Sequence, residues 1–483
     1  MTWNTELTLL LLPVNILLAG VLVFMERRNV AATWSWLMVL LFVPVVGFVL
    51  YMILGQNMRR RKLYKWDKRD HAYLKSMIAE QSQKLEEGWP DDKEGMIMPY
   101  RKLIDMNLKT SRSLLTLRNE VDFYTEGLKK FEQLLADIAA ATQHIHMQYY
   151  IFNNDGWGRK VRDALTAKAR EGVQVRLLYD DIGSRKLNDR FFTEFDAAGG
   201  QRAIFFPSRI PYFNFRINYR NHRKIVIIDG LISYTGGFNV GNEYVGLDQR
   251  FGHWRDTHMR LRGEAVHSLQ RMFLMDWGLA THQSAQHLPE FFPDPVVSGD
   301  GQLAVQFVAG GPSDQWRHVE NALLHMIHSA KRTIWLQTPY LIPDESLLNA
   351  LRIASLSGID VRVMIPHMAD HMFVHWASRY YVGELLQAGV KCYLYTNGFL
   401  HAKMMVVDGR IATVGTANFD IRSLKLNFEV NGIFYDWETA QRLESIYEQD
   451  VEESIPFTLE DYNNRSAWSK FNESISKLLS PIL

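Results

Sequence analysis

The chain of 483 residues has one cysteine, Cys392. A single thiol excludes an intramolecular disulfide and any zinc site built on cysteines, and it fits a reducing compartment. Charge of one sign is also missing, since 54 Lys and Arg against 53 Asp and Glu leave a formal net charge of +1. A general positive field that would collect nucleic acid is therefore excluded, and attraction for anions has to come from local patches. Two stretches lack charge altogether: Leu7 to Met25, interrupted only by Thr8, Pro13 and Asn15, and Ala31 to Leu54. Each is long enough to cross a bilayer core, which takes about 20 helical residues.

A cleaved secretory signal would carry basic residues before its apolar core. None precedes Leu7, and the second run follows after only a short turn through Glu26, Arg27, Arg28 and Asn29. A retained two-span hairpin is expected instead, with Trp34 and Trp36 near an interface. Arg59, Arg60, Arg61, Lys62, Lys65, Lys68 and Arg69 follow the second run, against two basic residues in the turn. That asymmetry places the remainder of the chain on the cytoplasmic side of the cell membrane, facing an anionic leaflet.

The rest of the chain contains an internal repeat. Phe131 to Ala141 has helical spacing, Ile145 to Ile151 reads as a strand, Lys160 to Arg170 as a helix and Val173 to Tyr179 as a strand. The order recurs at Val319 to Ser329, Thr333 to Gln337, Leu347 to Ala354 and Ile359 to Ile365. Alternation of strand and helix predicts an α/β fold with parallel pairing, present twice. The Pro-rich stretch from Pro289 to Pro295 is the boundary between the copies, and a charged helical connector with a break at Pro90-Asp91-Asp92 precedes the first.

Each copy contains the same motif. His222, Lys224 and Asp229 precede Gly236-Gly237-Phe238-Asn239; His401, Lys403 and Asp408 precede Gly415-Thr416-Ala417-Asn418. Lysine stands at His+2, aspartate at His+7, glycine at His+14 and asparagine at His+17 in both. Residues i and i+2 of an extended chain face one side, so each lysine projects with its histidine. Two imidazoles, two ammonium groups and two amides suit a phosphodiester. The lysines with Asn239 and Asn418 can hold its oxygens, one imidazole can attack phosphorus, and the other can move protons. The scheme calls for no metal and no cofactor. Asp256 and Glu429 begin the next strand in each half and are the candidate orienting carboxylates. Asp229 and Asp408 complete the catalytic motif, but they fall on the opposite face, where a local structural role is expected.

The paired motifs resemble the phospholipase D superfamily. With the N-terminal hairpin, the Gly-rich turns, Gln148-Tyr149-Tyr150, Thr338-Pro339-Tyr340 and the segment from Gly415 to Ser423, they resemble bacterial cardiolipin synthases along the whole chain. Gly237 stands where many superfamily members carry serine, a place that glycine is expected to fit. The resemblance implies two tandem α/β/α sandwich halves with pseudo-twofold symmetry. The chain then divides into a hairpin (1–56), a basic connector (57–109), a first half (110–295) and a second half ending in an amphipathic helix (296–483). It also implies phosphatidylglycerol as substrate, with two molecules giving cardiolipin and glycerol through a phosphatidyl-histidine. Residue spacing leaves open which histidine attacks; the resemblance points to His222. Interception by water, giving phosphatidic acid, is the alternative. A nuclease is disfavoured by the apolar runs and the balanced charge, and a non-catalytic lipid scaffold by the completeness of both motifs.

Other clusters have plainer readings. His367, His371 and His375 recur every fourth residue, and a polar helix start is expected rather than a metal site. His144 and His146 are expected to be packed or paired. The segment from Arg209 to Arg220 interleaves Arg209, Arg216 and Arg220 with Tyr212, Phe213, Phe215 and Tyr219, which suits either lipid headgroups or a half-buried loop. Trp468, Phe471, Ile475, Leu478 and Ile482 form a helical stripe that either lies on a membrane or, as expected here, docks on the core.

Overall fold

The computed structural model describes residues 3–25, 30–51, 63–64, 68–89, 92, 95–207, 218–283, 288–297 and 303–480. Most of the basic cluster after the second apolar run and the aromatic segment 208–217 lie outside them.

Alternation within short strands sets the layers. In the strand Ile225–Ile228, Ile225 and Ile227 enter one buried cluster while Val226 and Ile228 enter another. In Met404–Val407, Met404 and Val406 join the same shared cluster, and Met405 and Val407 face a third. Successive side chains of a strand point to opposite faces, so a strand apolar at every position must be covered on both. The helices Gly127–Ala140 and Gly156–Arg170 cover the outer face of the first half, and His318–Ser329 and Glu345–Leu356 that of the second. Between the sheets lie the helices Ala265–Thr281 and Trp437–Glu452, whose apolar residues share the central cluster.

Both sheets repeat one strand order. In the first, Asn119–Glu126, Trp254–Gly263, Ile232–Gly236, Ile225–Ile228, His144–Tyr149, Gln174–Asp180 and Gln201–Phe205 are successive neighbours. In the second, Val305–Gly310, Glu429–Phe434, Ile411–Gly415, Met404–Val407, Thr333–Gln337, Asp360–Pro366 and Lys391–Tyr395 follow in the same sense. The expected pairs His144–Tyr149 with Gln174–Asp180, and Thr333–Gln337 with Asp360–Pro366, are parallel. The halves also exchange edges: Leu115–Thr116 pairs with Val305–Gly310, and Phe399–Leu400 with Trp254–Gly263.

Three expectations are corrected. Among the described residues no helix is long and apolar enough to cross a membrane. The run expected as one span over 31–54 is divided, because Pro44 removes a backbone donor and Val45 adopts φ 61°, leaving helices Val30–Phe42 and Val46–Leu50. Thirteen residues at 1.5 Å rise cover about 20 Å, short of a ~30 Å hydrocarbon core. The helix near the three histidines starts at Met372, so only His375 is helical and the four-residue spacing does not place them on one face. The C-terminal helix Ala467–Leu478 docks in the opposite sense to that expected. Glu473 is 1% exposed and pairs with Arg465 at 3.2 Å, whereas Trp468 and Leu478 are 70% and 74% exposed.

Asp229 and Asp408 close equivalent turns. Asp229 accepts the backbone N–H groups of Thr142, Gln143 and His144 at 2.8–2.9 Å, and Asp408 those of Lys331, Arg332 and Thr333 at 2.7–2.9 Å. Each fixes the entry of a central strand from a position with positive φ. Partial burial alone would raise the Asp229 carboxyl, but the donated N–H groups outweigh it and hold it below its ordinary value. Its stabilisation is thus complete above the unfolded value of ~3.9 and disappears as pH falls through the lower folded value. Asp408→Ala is expected to cost roughly 1–3 kcal/mol, seen as a lower thermal midpoint. An unchanged midpoint would refute the turn-closing role.

Candidate active site

Each His-x-Lys segment occupies the point where the chain leaves one half for the other. Asn221 bridges in parallel to Phe428, and from Ile225 the chain pairs within its own sheet. Phe399–Leu400 pairs with Trp254–Arg255, and from Met404 the chain again pairs at home. His222 N donates to Phe428 O at 3.0 Å, and His401 N to Arg255 O at 2.6 Å. The backbone therefore sets each histidine beside a carboxylate of the opposite half.

The side chains complete that exchange. His401 Nδ1 lies 2.6 Å from Asp256 Oδ2, and His222 Nδ1 lies 3.1 Å from Glu429 Oε2 and 3.2 Å from Thr416 O. A proton on Nδ1 shared with a carboxylate leaves Nε2 as the free nitrogen of each ring. Lys224 Nζ donates to His222 O at 2.7 Å, and Lys403 Nζ to His401 O, so both lysines share the side of their histidines as the two-residue spacing requires. His222, His401, Asn239 and Asn418 line one cavity of about 490 Å³. Asn239 is engaged already: its Oδ1 accepts from Ile151 N and its Nδ2 donates to Tyr244 Oη. Asp229 and Asp408 are not at the cavity and act through their turns.

Burial controls the charges. Lys224 is fully buried and Lys403 nearly so; loss of hydration pulls their ammonium groups down to about 7 and about 8. His401 is pushed down to about 3 by burial and by Lys403, against the pull of Asp256, and His222 is lowered for the same first reason. Burial would raise Asp256, but Lys403 and His401 prevail and its carboxyl is lowered. The site thus holds neutral imidazoles beside carboxylates and two easily discharged cations, a setting suited to an anion.

The buried carboxylates behind the site, Asp180, Asp276 and Asp450, had no distinct signal in the sequence. Arg220 pairs with the fully buried Asp180 at 3.2 Å, and Asp180 also accepts from Asn221 N at 3.0 Å. Arg223 points away from the cavity and makes two 2.9 Å bonds to Asp276, which also accepts from Gln148 and Asn221. In the second half Asp450 is held by Arg255 and Gln337. The repeat in which Gln148 and Gln337 occupy equivalent strand positions was the signal available for these networks. Tyr150 packs edge-on to His222 at 4.9 Å, and Trp254 lies 5.1 Å from His401. His144 and His146 are packed, bonding Gln270, with His146 stacked on Phe273 at 4.7 Å.

Gly237 is required rather than merely tolerated. A Cβ there would fall 1.8 Å from Asp256 Oδ1. The second half answers with a longer acid and a larger turn residue, for Thr416 Oγ1 donates to Glu429 Oε2. Gly237→Ser is expected to displace Asp256 and lower turnover by roughly 10²-fold, because misplacing a reacting group by ~1 Å has that effect. Thr416→Ser keeps its hydroxyl and is expected to retain activity. Equal turnover of Gly237→Ser and the parent in steady-state assays would refute the steric argument.

The model "Cardiolipin synthase, PLD-like domain" matches residues 134–277 and 323–451, and "Phospholipase_D-nuclease N-terminal" matches residues 14–56. The chain is 49% identical over 484 residues to the major cardiolipin synthase ClsA of Bacillus subtilis (strain 168), covering 100% of both chains. It is 46% identical over 478 residues to a cardiolipin synthase of Listeria welshimeri, covering 99% of each. Among solved structures, the phosphatidylserine synthase of Haemophilus influenzae Rd KW20 shares the fold, with a TM-score of 0.62 at 12% identity over 80% of this chain and 100% of that one. The chain belongs to the cardiolipin synthases, phosphatidyltransferases built from phospholipase D-like domains.

Proposed function

We propose that the protein joins two phosphatidylglycerol molecules into cardiolipin and releases glycerol. The observation that carries this reading is the pair of Nδ1-anchored imidazoles on one cavity, each with its lysine bonded to that histidine's backbone carbonyl. His222 Nε2 attacks phosphorus of the first lipid, and the bond to the glycerol oxygen breaks as the His401 imidazolium donates its proton there. Neutral His401 then takes the proton from the terminal hydroxyl of the second lipid. That oxygen displaces His222 from phosphorus, and one diester replaces another without a nucleotide.

Burial and Lys403 keep His401 neutral, so the leaving group needs a proton loaded with the substrate. A phosphodiester brings negative charge beside the ammonium groups that depress both imidazoles and so raises their basicity. Lys224, Lys403 and the cavity amides meet the charge that grows on the non-bridging oxygens. Asp256 and Glu429 hold the rings, and Asp229 and Asp408 hold the strands that present them.

The division into segments 1–56, 57–109, 110–295 and 296–483 is part of this reading. Helices Trp3–Met25 and Val30–Phe42 form a hairpin in which Asn15 Nδ2 donates to Leu40 O. Leu17, Phe24, Val30, Trp34, Leu41 and Phe42 are exposed, so an apolar phase is their favourable surrounding. We read the hairpin as a membrane anchor that holds the catalytic halves at the cytoplasmic face, where the basic residues after Leu54 meet an anionic leaflet.

Purified protein given phosphatidylglycerol vesicles is expected to form cardiolipin and glycerol; phosphatidic acid as the main product would establish hydrolysis instead. His222→Ala is expected to lose at least roughly 10³-fold, and an adduct trapped in denaturant at alkaline pH to map to His222. An adduct on His401 would reverse the two roles. The lysines carry charge below about 7 and about 8. KM for the lipid should therefore rise as pH increases through that window, and a flat profile from pH 6 to 9 would exclude charge-dependent phosphate binding by the lysines.

A further inference from the structure

The C-terminal helix Ala467–Leu478 turns its apolar stripe outward. Trp468, Phe471, Ile475 and Leu478 are exposed, and Trp468 stacks on Phe471 at 5.8 Å between ring centroids. The docked side is polar: Glu473 and Ser476 are buried, Glu473 pairs with Arg465 and approaches Arg379 at 3.9 Å, and Lys477 Nζ donates to Tyr380 Oη. Arg379 and Tyr380 belong to the helix Met372–Leu386, against which the C-terminal helix packs. A helix that spends its polar face on the protein and leaves an aromatic stripe in water is unfavourable unless another phase covers that stripe.

The supporting helix leads to the active cavity. Asp370, His371 and Val374 line the cavity, while the neighbouring Met372 and Phe373 are 69% and 56% exposed. One helix thus carries exposed apolar side chains at the rim of the cavity and supports the stripe along its length. The only acid of the C-terminal helix is the buried Glu473, whereas Lys470 and Lys477 are exposed. This surface suits a negatively charged lipid surface: aromatic side chains enter the acyl boundary, while Lys470 and Lys477, bonded to Asn463 O and Tyr380 Oη, leave the exposed part of the helix with positive charge alone.

We infer that the helix Ala467–Leu478, with Met372 and Phe373, is an interfacial docking face that seats the catalytic body on an anionic phospholipid bilayer with the cavity rim at its surface. The inference rests on the lipid-transfer reading, because acyl chains cannot leave the bilayer cheaply and the cavity has to come to the headgroups. The N-terminal hairpin tethers the chain, and the docking face orients the cavity. Burying the stripe removes apolar surface from water without disturbing the polar contacts beneath it.

The test uses the full chain. Cys392 is buried, so a thiol-reactive environment-sensitive fluorophore placed through Phe471→Cys reports on that position. On phosphatidylglycerol vesicles its emission should shift to the blue and be quenched by lipids brominated on their acyl chains. Quenching by aqueous iodide with no effect of brominated lipid would overturn the inference. So would protection from both quenchers accompanied by self-association, which would make a second copy the occupant. The double variant Phe471→Asp, Ile475→Asp should lose about tenfold in turnover of vesicle lipid and none on short-chain phosphatidylglycerol dispersed as monomers. Equal rates of variant and parent on vesicles would also overturn it. A parent protein that forms no product from either lipid would sink the transfer reading instead, leaving bromine quenching to decide the docking face.

Discussion

The site depends on a hydrogen bond made twice across the junction between the halves: an imidazole Nδ1 of one half on a carboxylate of the other. His401 on Asp256 and His222 on Glu429 tie each half's reactive group to its opposite. Neither half is complete alone. The backbone enforces the exchange first, since Asn221 lies against Phe428 and Phe399–Leu400 against Trp254–Arg255 before the side chains are considered. The shared core between the sheets holds that registry, and the buried pairs Arg223–Asp276 and Arg255–Asp450 secure the segments that carry it. Removing one partner from such a pair would leave an uncompensated buried charge, which keeps both segments in place.

The two copies have diverged in a compensated way. Asp256 brings its carboxylate close to the Gly-rich turn, and only glycine at 237 leaves room for it. Glu429 reaches farther and takes support from Thr416 and from Asn427, whose Nδ2 donates to it at 3.2 Å. Acid length and turn residue thus change together. The histidines consequently differ in their surroundings: one has a single close carboxylate, and the other shares its proton between a carboxylate and the carbonyl of Thr416. Unequal surroundings of this kind suit the unequal roles proposed for the two rings.

Burial of two imidazoles and two ammonium groups in adjoining positions disfavours their charged forms. The depressed lysines and imidazoles express that penalty, and a phosphodiester relieves it where its charge is needed.

The sequence by itself determined the repeated α/β order and the two motifs with their shared internal spacing, and it singled out Asp256 and Glu429, which lie within hydrogen-bond distance of the two histidines. These follow from local periodicity and from an internal repeat, which need no knowledge of distant contacts. The break at Pro44 was equally local, though a reading by hydropathy passed over it. Tertiary structure alone decided which carboxylate serves which histidine, why Gly237 is obligatory, and that the C-terminal stripe faces outward. Those outcomes depend on pairing between residues more than a hundred positions apart, on the close approach of a neighbouring strand's carboxylate to a turn, or on which face of a helix finds an ion partner. Periodicity along a chain reveals that a helix or strand has two unlike faces, and only packing determines what each face meets.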